Sequence, residues 1–226
     1  MGNSMKKLAA FDFDSTLIEE ESIDEIARLA GQDAFEEISK ITKMVNDGKL
    51  GIREGMKKRV AKFKGIEVVR VRHAARGLHF KKGFSETVRG FKKRGYVLAI
   101  ISGGFGVIFD ELKKTVPEMR LFDEILCNEL GVSGGRLDGT CEMKVCEEKG
   151  RLLKELAARR GVELRHVVAV GDGALDRTML EAAGLGICLA GNPVAEKAAD
   201  VVVRRNDLGG MLAAVLFWEK VKQYAD

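Results

Sequence analysis

Proline is scarce, with two residues in 226, and Asn and Gln are few beside 32% charged residues. That balance leans towards a thermophilic source. No CxxC pair occurs among the four cysteines (Cys127, Cys141, Cys146, Cys188), and the three histidines (His73, His79, His166) do not join them at zinc spacing. Free thiols in a reducing compartment, the cytoplasm, are the expectation. No apolar run is long enough for a membrane span or a secretion signal, so no membrane partner is expected. Aromatics make up only 6%, and no basic stripe is interleaved with them, which argues against nucleic acid. The formal charge of +4, from 38 basic and 34 acidic residues, is scattered and suits an anionic small molecule. The opening Met1-Gly2-Asn3-Ser4 ahead of Met5 reads as a remnant of expression and is set aside.

What is present is 46% hydrophobic, enough for a well-buried core. Short apolar runs alternate with longer helical patterns, which predicts an α/β fold around a parallel sheet. Strands are expected at 8–11, 96–101, 166–170, 185–189 and 200–203, as near-continuous apolar runs buried on both faces. The first runs into Asp12-Phe13-Asp14, the second into Ser102-Gly103-Gly104 and the third into Gly171-Asp172-Gly173. Polar and glycine residues thus collect past the carboxyl ends of three strands, where open α/β sheets bind ligands. Residues 22–30, 34–47, 52–63 and 70–77 carry helical periodicity, so 18–80 reads as a helical cap domain inserted into a core of 5–17 and 81–226. Residues 127–140, with Gly134-Gly135 between two short runs, read as a β-hairpin.

Asp12 and Asp14, two residues apart in a strand continuation, face the same way. Carboxylates that close repel unless a cation or proton lies between them. A helix cap or turn is the competing reading, since Asp, Ser and Thr are all cap residues. Asp172 and Asp176 bring further carboxylates to the same edge, and Asp176 alone also suits a helix first turn. Asp12, the backbone carbonyl of Asp14 and Asp172 could supply three of the six or so oxygens that magnesium takes. Ser102-Gly103-Gly104 ends a strand and opens a helix, offering N–H donors and a hydroxyl to an anion, or simply a strand-to-helix turn. Lys149, by spacing alone, reads as one solvated lysine among many.

Taken in order, Asp12-Phe13-Asp14-Ser15-Thr16, Ser102, Lys149 and Gly171-Asp172-Gly173-Ala174-Leu175-Asp176 resemble the haloacid dehalogenase (HAD) superfamily of phosphatases. Within it, the likeness is closer to the phosphoserine phosphatase family. It is carried by Phe11 to Leu17, Glu21 to Ala27, Lys58-Arg59-Val60 and Ile101 to Phe105, and covers nearly the whole chain. The resemblance implies a Rossmann-like parallel sheet core with helices on both faces, plus the helical cap. It implies Mg2+ held by Asp12, Asp14 and Asp172, with Asp176 behind them, and hydrolysis of a small phosphorylated substrate, O-phosphoserine, in serine biosynthesis. Asp12 would be the nucleophile that becomes an aspartyl phosphate, Asp14 the general acid and base, and Lys149, Ser102, Gly103 and Gly104 the phosphate holders. Glu21 would take the substrate's amino group and Arg59 its carboxylate. Two departures bear on the substrate: Leu175 stands where the family has Asn, and Asn46 and Ile52 replace its usual Met and Phe. Another small phosphomonoester, or transfer of the phosphoryl group to an alcohol such as homoserine, remains open. A signalling receiver would be shorter and lack the helical insert, and a phosphorylated ion pump would need membrane spans.

Overall fold

In the computed structural model, which describes residues 6–205 and 207–223, the apolar runs become strands of one seven-stranded sheet. The opening residues set aside above lie outside the described ones. The strands are β1 (Lys7–Phe11), β2 (Tyr96–Phe105), β3 (Glu124–Ser133), β4 (Arg136–Glu142), β5 (Val167–Gly171), β6 (Leu185–Leu189) and β7 (Val201–Val203). Their spatial order is β4-β3-β2-β1-β5-β6-β7, and every neighbouring pair is parallel except β3 with β4. The order reverses between β1 and β5, which makes the crevice at their carboxyl ends the topological switch point.

Four helices make up the insert that follows β1: α1 (Ser22–Leu29), α2 (Gln32–Asn46), α3 (Ile52–Ala61) and α4 (Val68–Arg76). Six follow: α5 (Phe84–Lys93), α6 (Gly106–Thr115), α7 (Lys149–Arg160), α8 (Arg177–Ala182), α9 (Pro193–Ala198) and α10 (Gly209–Gln223). Strand side chains alternate between two cores. Ala9 and Phe11 join Phe91, Phe109 and Val215, whereas Leu8 and Ala10 join Leu153, Leu180 and Ala195. A period of two buried on both sides demands helices on both faces. Here α5, α6 and α10 cover one face, and α7, α8 and α9 the other.

Helix α1 shows why the insert folds as it does. Asp24 and Glu25 lie in its first turn and Arg28 in its last, matching the helix dipole, while Ile23, Ile26 and Ala27 make its buried stripe. That stripe shares one core with Met56, Val60, Phe63 and Val71 and with the α5–α6 face of the sheet. The two connections into and out of the insert pair as an antiparallel bridge at Ile18 and Phe80.

The hairpin expected at 127–140 is present, but it grows out of the sheet. Glu124, Ile125 and Leu126 pair in parallel with Ala99, Ile100 and Ile101 before the strand runs on into the turn. Its apolar run, Ile125 to Cys127, is only three residues long between Glu124 and Asn128, too short to announce a strand. The hairpin tip then grips the α3–α4 loop: Gly65 N–H donates to the Leu137 carbonyl and Leu137 N–H to that of Ile66, each at 2.8 Å. Among the described residues no helix is long and apolar enough to cross a membrane.

Candidate active site

The sheet register sets the level of the site. Phe11 pairs with both Ile100 and Val170, so the residues just past β1 and β5, Asp12 and Asp172, stand side by side at the switch point. Ser102 lies two residues beyond Ile100 in β2 itself, which runs irregularly on to Phe105 instead of ending at 101. Past β1 the chain turns out of the sheet, with the N–H groups of Thr16, Leu17 and Ile18 all donating to the Phe13 carbonyl. Phe13 pins the turn. Its buried ring meets Phe109 edge-on at 4.8 Å between centroids. That burial is worth about 1.5–3 kcal/mol, and it leaves the flanking carboxyls facing the crevice.

Asp12 is nearly buried, and one oxygen accepts from Lys149 Nζ at 2.7 Å and from the Phe13 N–H at 2.7 Å. Lys149, the first residue of α7, is 3% exposed and donates equally to Asp176 Oδ1, at 2.6 Å. It is no solvated lysine. Burial works against its charge, yet Asp12 and Asp176 hold its pKa above the ordinary lysine value. The other oxygen of Asp176 accepts the N–H groups of Asp172 (3.1 Å) and Gly173 (2.9 Å). A side chain on Gly171 would fall 2.4 Å from Asp176, so only glycine lets that carboxylate tuck beneath the β5 loop. Thr16 fixes Asp172 by donating to its Oδ1 at 2.6 Å.

Asp12, Asp172 and Asp176 each offer an oxygen within 4.8 Å of the others. Three carboxylates stand around one ammonium, and burial with this imbalance raises the pKa of Asp12 and of Asp172. Burial, with repulsion from Asp176, pushes Asp12 well above the ordinary carboxylate value despite Lys149. Burial likewise lifts Asp172 to about 6. A divalent cation fits this surplus of desolvated negative charge. Asp176 is already spent on Lys149 and two N–H groups, so the carboxyls left for a cation are Asp12 and Asp172. The Asp14 side chain stands apart: its Oδ1 accepts the Ser22 N–H at 2.8 Å. Burial, with Glu21 nearby, raises its pKa to about 7.

On the β2 side, buried Ser102 accepts the Gly104 N–H at 2.9 Å through its hydroxyl oxygen, which leaves the hydroxyl hydrogen to donate. Gly103 faces open space: a side chain there would meet nothing within 4 Å. Asn128 was not singled out from sequence, yet it braces this loop. It is fully buried, donates to the Gly103 carbonyl at 2.9 Å and accepts the Val145 N–H at 2.9 Å, joining the Ser102 loop to the segment before Lys149. A polar residue in the otherwise apolar 125–128 run was its only signal.

Glu21, the cap residue of α1, accepts from the Ser15 hydroxyl at 2.7 Å, and burial raises its pKa. Among the described residues Arg59, half-buried on α3, makes long bonds of 3.4 Å, to the Gly55 carbonyl and the Thr42 hydroxyl. Burial lowers its pKa while the charges of Asp24 and Glu21 hold it up, so the structure brings Glu21 and Arg59 within electrostatic reach of one another. Leu175 is 38% exposed on the loop before α8, and Ile52 opens α3. The side chain of Asn46 lies outside what is described.

Three comparisons show what the chain is similar to. The sequence profile described as haloacid dehalogenase-like hydrolase matches residues 9–181. The phosphoserine phosphatase of Methanocaldococcus jannaschii is 40% identical over 209 residues, spanning 92% of this chain and 96% of that protein. A solved phospho-aspartyl intermediate analogue of phosphoserine phosphatase superposes with a TM-score of 0.82 at 38% identity, over 93% of this chain and 99% of its own. A substrate-bound phosphoserine phosphatase complex does so with a TM-score of 0.82 at 37% identity, over 94% and 99%.

Proposed function

The chain belongs to the haloacid dehalogenase-like hydrolase family, and from that premise we propose that it hydrolyses O-phosphoserine through a phosphorylated Asp12. The observation that carries the reading is a buried carboxylate, Asp12, in contact with a buried lysine, two residues from a second carboxyl whose pKa is about 7. The first suits a nucleophile and the second a general acid that becomes a base. An Asp12 oxygen attacks phosphorus, and the ester P–O bond breaks as the Asp14 proton passes to the leaving serine oxygen. Water then attacks the same phosphorus, gives its proton to Asp14 and frees phosphate from Asp12. Lys149, the Ser102 hydroxyl and the Gly103 N–H hold the spread negative charge of the transferring group. Magnesium, held by Asp12, Asp172 and the Asp14 carbonyl, would supply the positive charge that the three carboxylates and phosphate together lack. Residues 18–80 act as a cap over the core of 5–17 and 81–226 and exclude bulk water.

Support for phosphoserine comes from the relatives, which are phosphoserine phosphatases, and from Glu21 and Arg59, which suit an amino group and a carboxylate. With its four free thiols, the enzyme fits a reducing cytoplasm, where it would complete serine biosynthesis. One observation favours a second reading, a different small phosphomonoester: the apolar Leu175 can make no hydrogen bond to substrate. Phosphate release from phosphoserine, phosphothreonine, phosphohomoserine and sugar phosphates, with magnesium and with EDTA, separates the two. Phosphoserine is expected to lead by ten-fold or more, about 1.4 kcal/mol, and EDTA to silence it; a metal-dependent lead by another compound supports the second reading. Arg59→Ala is expected to raise KM for phosphoserine by roughly 10- to 100-fold, the scale of a charged hydrogen-bond pair. Phosphoethanolamine, which lacks the carboxylate, should change less than about three-fold. Equal losses on both compounds would remove Arg59 from carboxylate binding.

A further inference from the structure

Ser22 opens α1 at the edge of the site, and neither motif nor mechanism has given it work. Its N–H is the donor that holds Asp14 Oδ1, at 2.8 Å. Its side chain is 1% exposed, and its hydroxyl completes no hydrogen bond with any described group. A buried hydroxyl without a partner is costly and asks for a reason. Gly104 marks the place. A Cβ there would fall 3.1 Å from the Ser102 hydroxyl oxygen, 3.3 Å from that of Ser22 and 3.5 Å from Asp14 Oδ2. The unpartnered hydroxyl and the second oxygen of Asp14 therefore face the same small gap beside Gly104, which a Cβ would crowd.

We infer that Ser22 is a positioning residue for Asp14: its N–H fixes Oδ1, and its hydroxyl donates to Oδ2 as the proton leaves that carboxyl for the ester oxygen. The inference rests on reading Asp14 as the acid and base. A hydroxyl that gains its partner only when charge develops stabilises the transition state without holding the ground state. An ordinary first residue of a helix would turn its hydroxyl to water. Because Ser22 belongs to α1, the acid is aimed by the helical insert and not by the sheet that carries the nucleophile.

Two variants separate the groups. Ser22→Ala removes the hydroxyl alone. Ser22→Pro also removes the N–H, at the helix position where proline is best tolerated, and Glu21 before it is already extended at φ −95°, ψ 112°. The readout is the rate of phosphoenzyme formation by rapid quench in the magnesium-loaded full chain. It is taken with phosphoserine, whose alkoxide needs a proton to leave, and with p-nitrophenyl phosphate, whose phenolate does not. With phosphoserine, Ser22→Ala is expected to slow the step roughly ten-fold and Ser22→Pro roughly 100-fold, within the range of general-acid contributions. With the aryl ester both should change less than about three-fold, and Ser22→Thr should restore the alkyl rate. Equal losses on both esters, or no loss on phosphoserine, would overturn the assignment; Ser22→Ala alone decides if the proline variant does not fold. Should the wild type form no phosphoenzyme with either ester, the underlying mechanism falls, and Ser22 with it.

Discussion

Asp12→Asn is expected to lower kcat by at least about 10,000-fold, the scale on which loss of a catalytic nucleophile acts. That corresponds to about 5 kcal/mol of barrier at 1.36 kcal/mol per ten-fold. The amide is nearly isosteric with the carboxylate, and its oxygen can still accept from Lys149 Nζ and the Phe13 N–H. What it loses is the charge that attacks phosphorus. Burial and repulsion from Asp176 already push the Asp12 carboxyl towards its neutral form. The variant should therefore unfold at the same temperature as the wild type or higher. The combination is diagnostic, since a fall in both activity and stability would mean a damaged fold. More than trace turnover in a stable Asp12→Asn protein would refute the proposed nucleophile.

Lys149→Met is expected to cost stability as well as activity. Its ammonium is the cation in direct contact with Asp12 and Asp176, at 2.7 and 2.6 Å, in a site that also holds Asp172. Removing one partner from a buried charge network typically costs about 3–5 kcal/mol. For a chain of this length each kcal/mol lowers Tm by about 2–4 °C, so a fall of roughly 6–20 °C is expected by calorimetry in EDTA. Magnesium should recover part of it, because a ligand that binds the folded state alone stabilises that state. Activity should drop at least about 100-fold, as when one donor to a developing oxyanion is removed. A Tm within a degree or two of the wild type would show that Lys149 does not balance these carboxylates.

Much of the site was legible because it depends on strand ends. Asp12, Ser102 and Asp172 each follow a continuous apolar run, and parallel pairing of buried strands brings such ends to one edge. Local composition could not reveal groups whose partners lie far along the chain. By spacing, Asp176 suited a helix first turn and Lys149 a wet surface; their contact spans 27 residues and exists only once α7 packs beside the β5 loop. Thr16 meets Asp172 across 156 residues, and Asn128 reaches back 25 to Gly103. The start of β3 was hidden for a similar reason, since its apolar run of three residues between Glu124 and Asn128 is too short to read as a strand until it pairs with β2. The helices of the insert were readable from their periodicity. That the first residue of α1 holds the Asp14 carboxyl was not, because a serine at a helix start looks like any other cap.

The most direct test of the central claim is to quench the magnesium-loaded enzyme with acid during turnover of phosphate-labelled phosphoserine, digest it and locate the label. A phosphorylated Asp12 predicts label on the peptide carrying that residue, released by hydroxylamine as an acyl phosphate and missing from Asp12→Asn. Label on another residue, or steady phosphate release with no labelled enzyme at any time, would contradict the account.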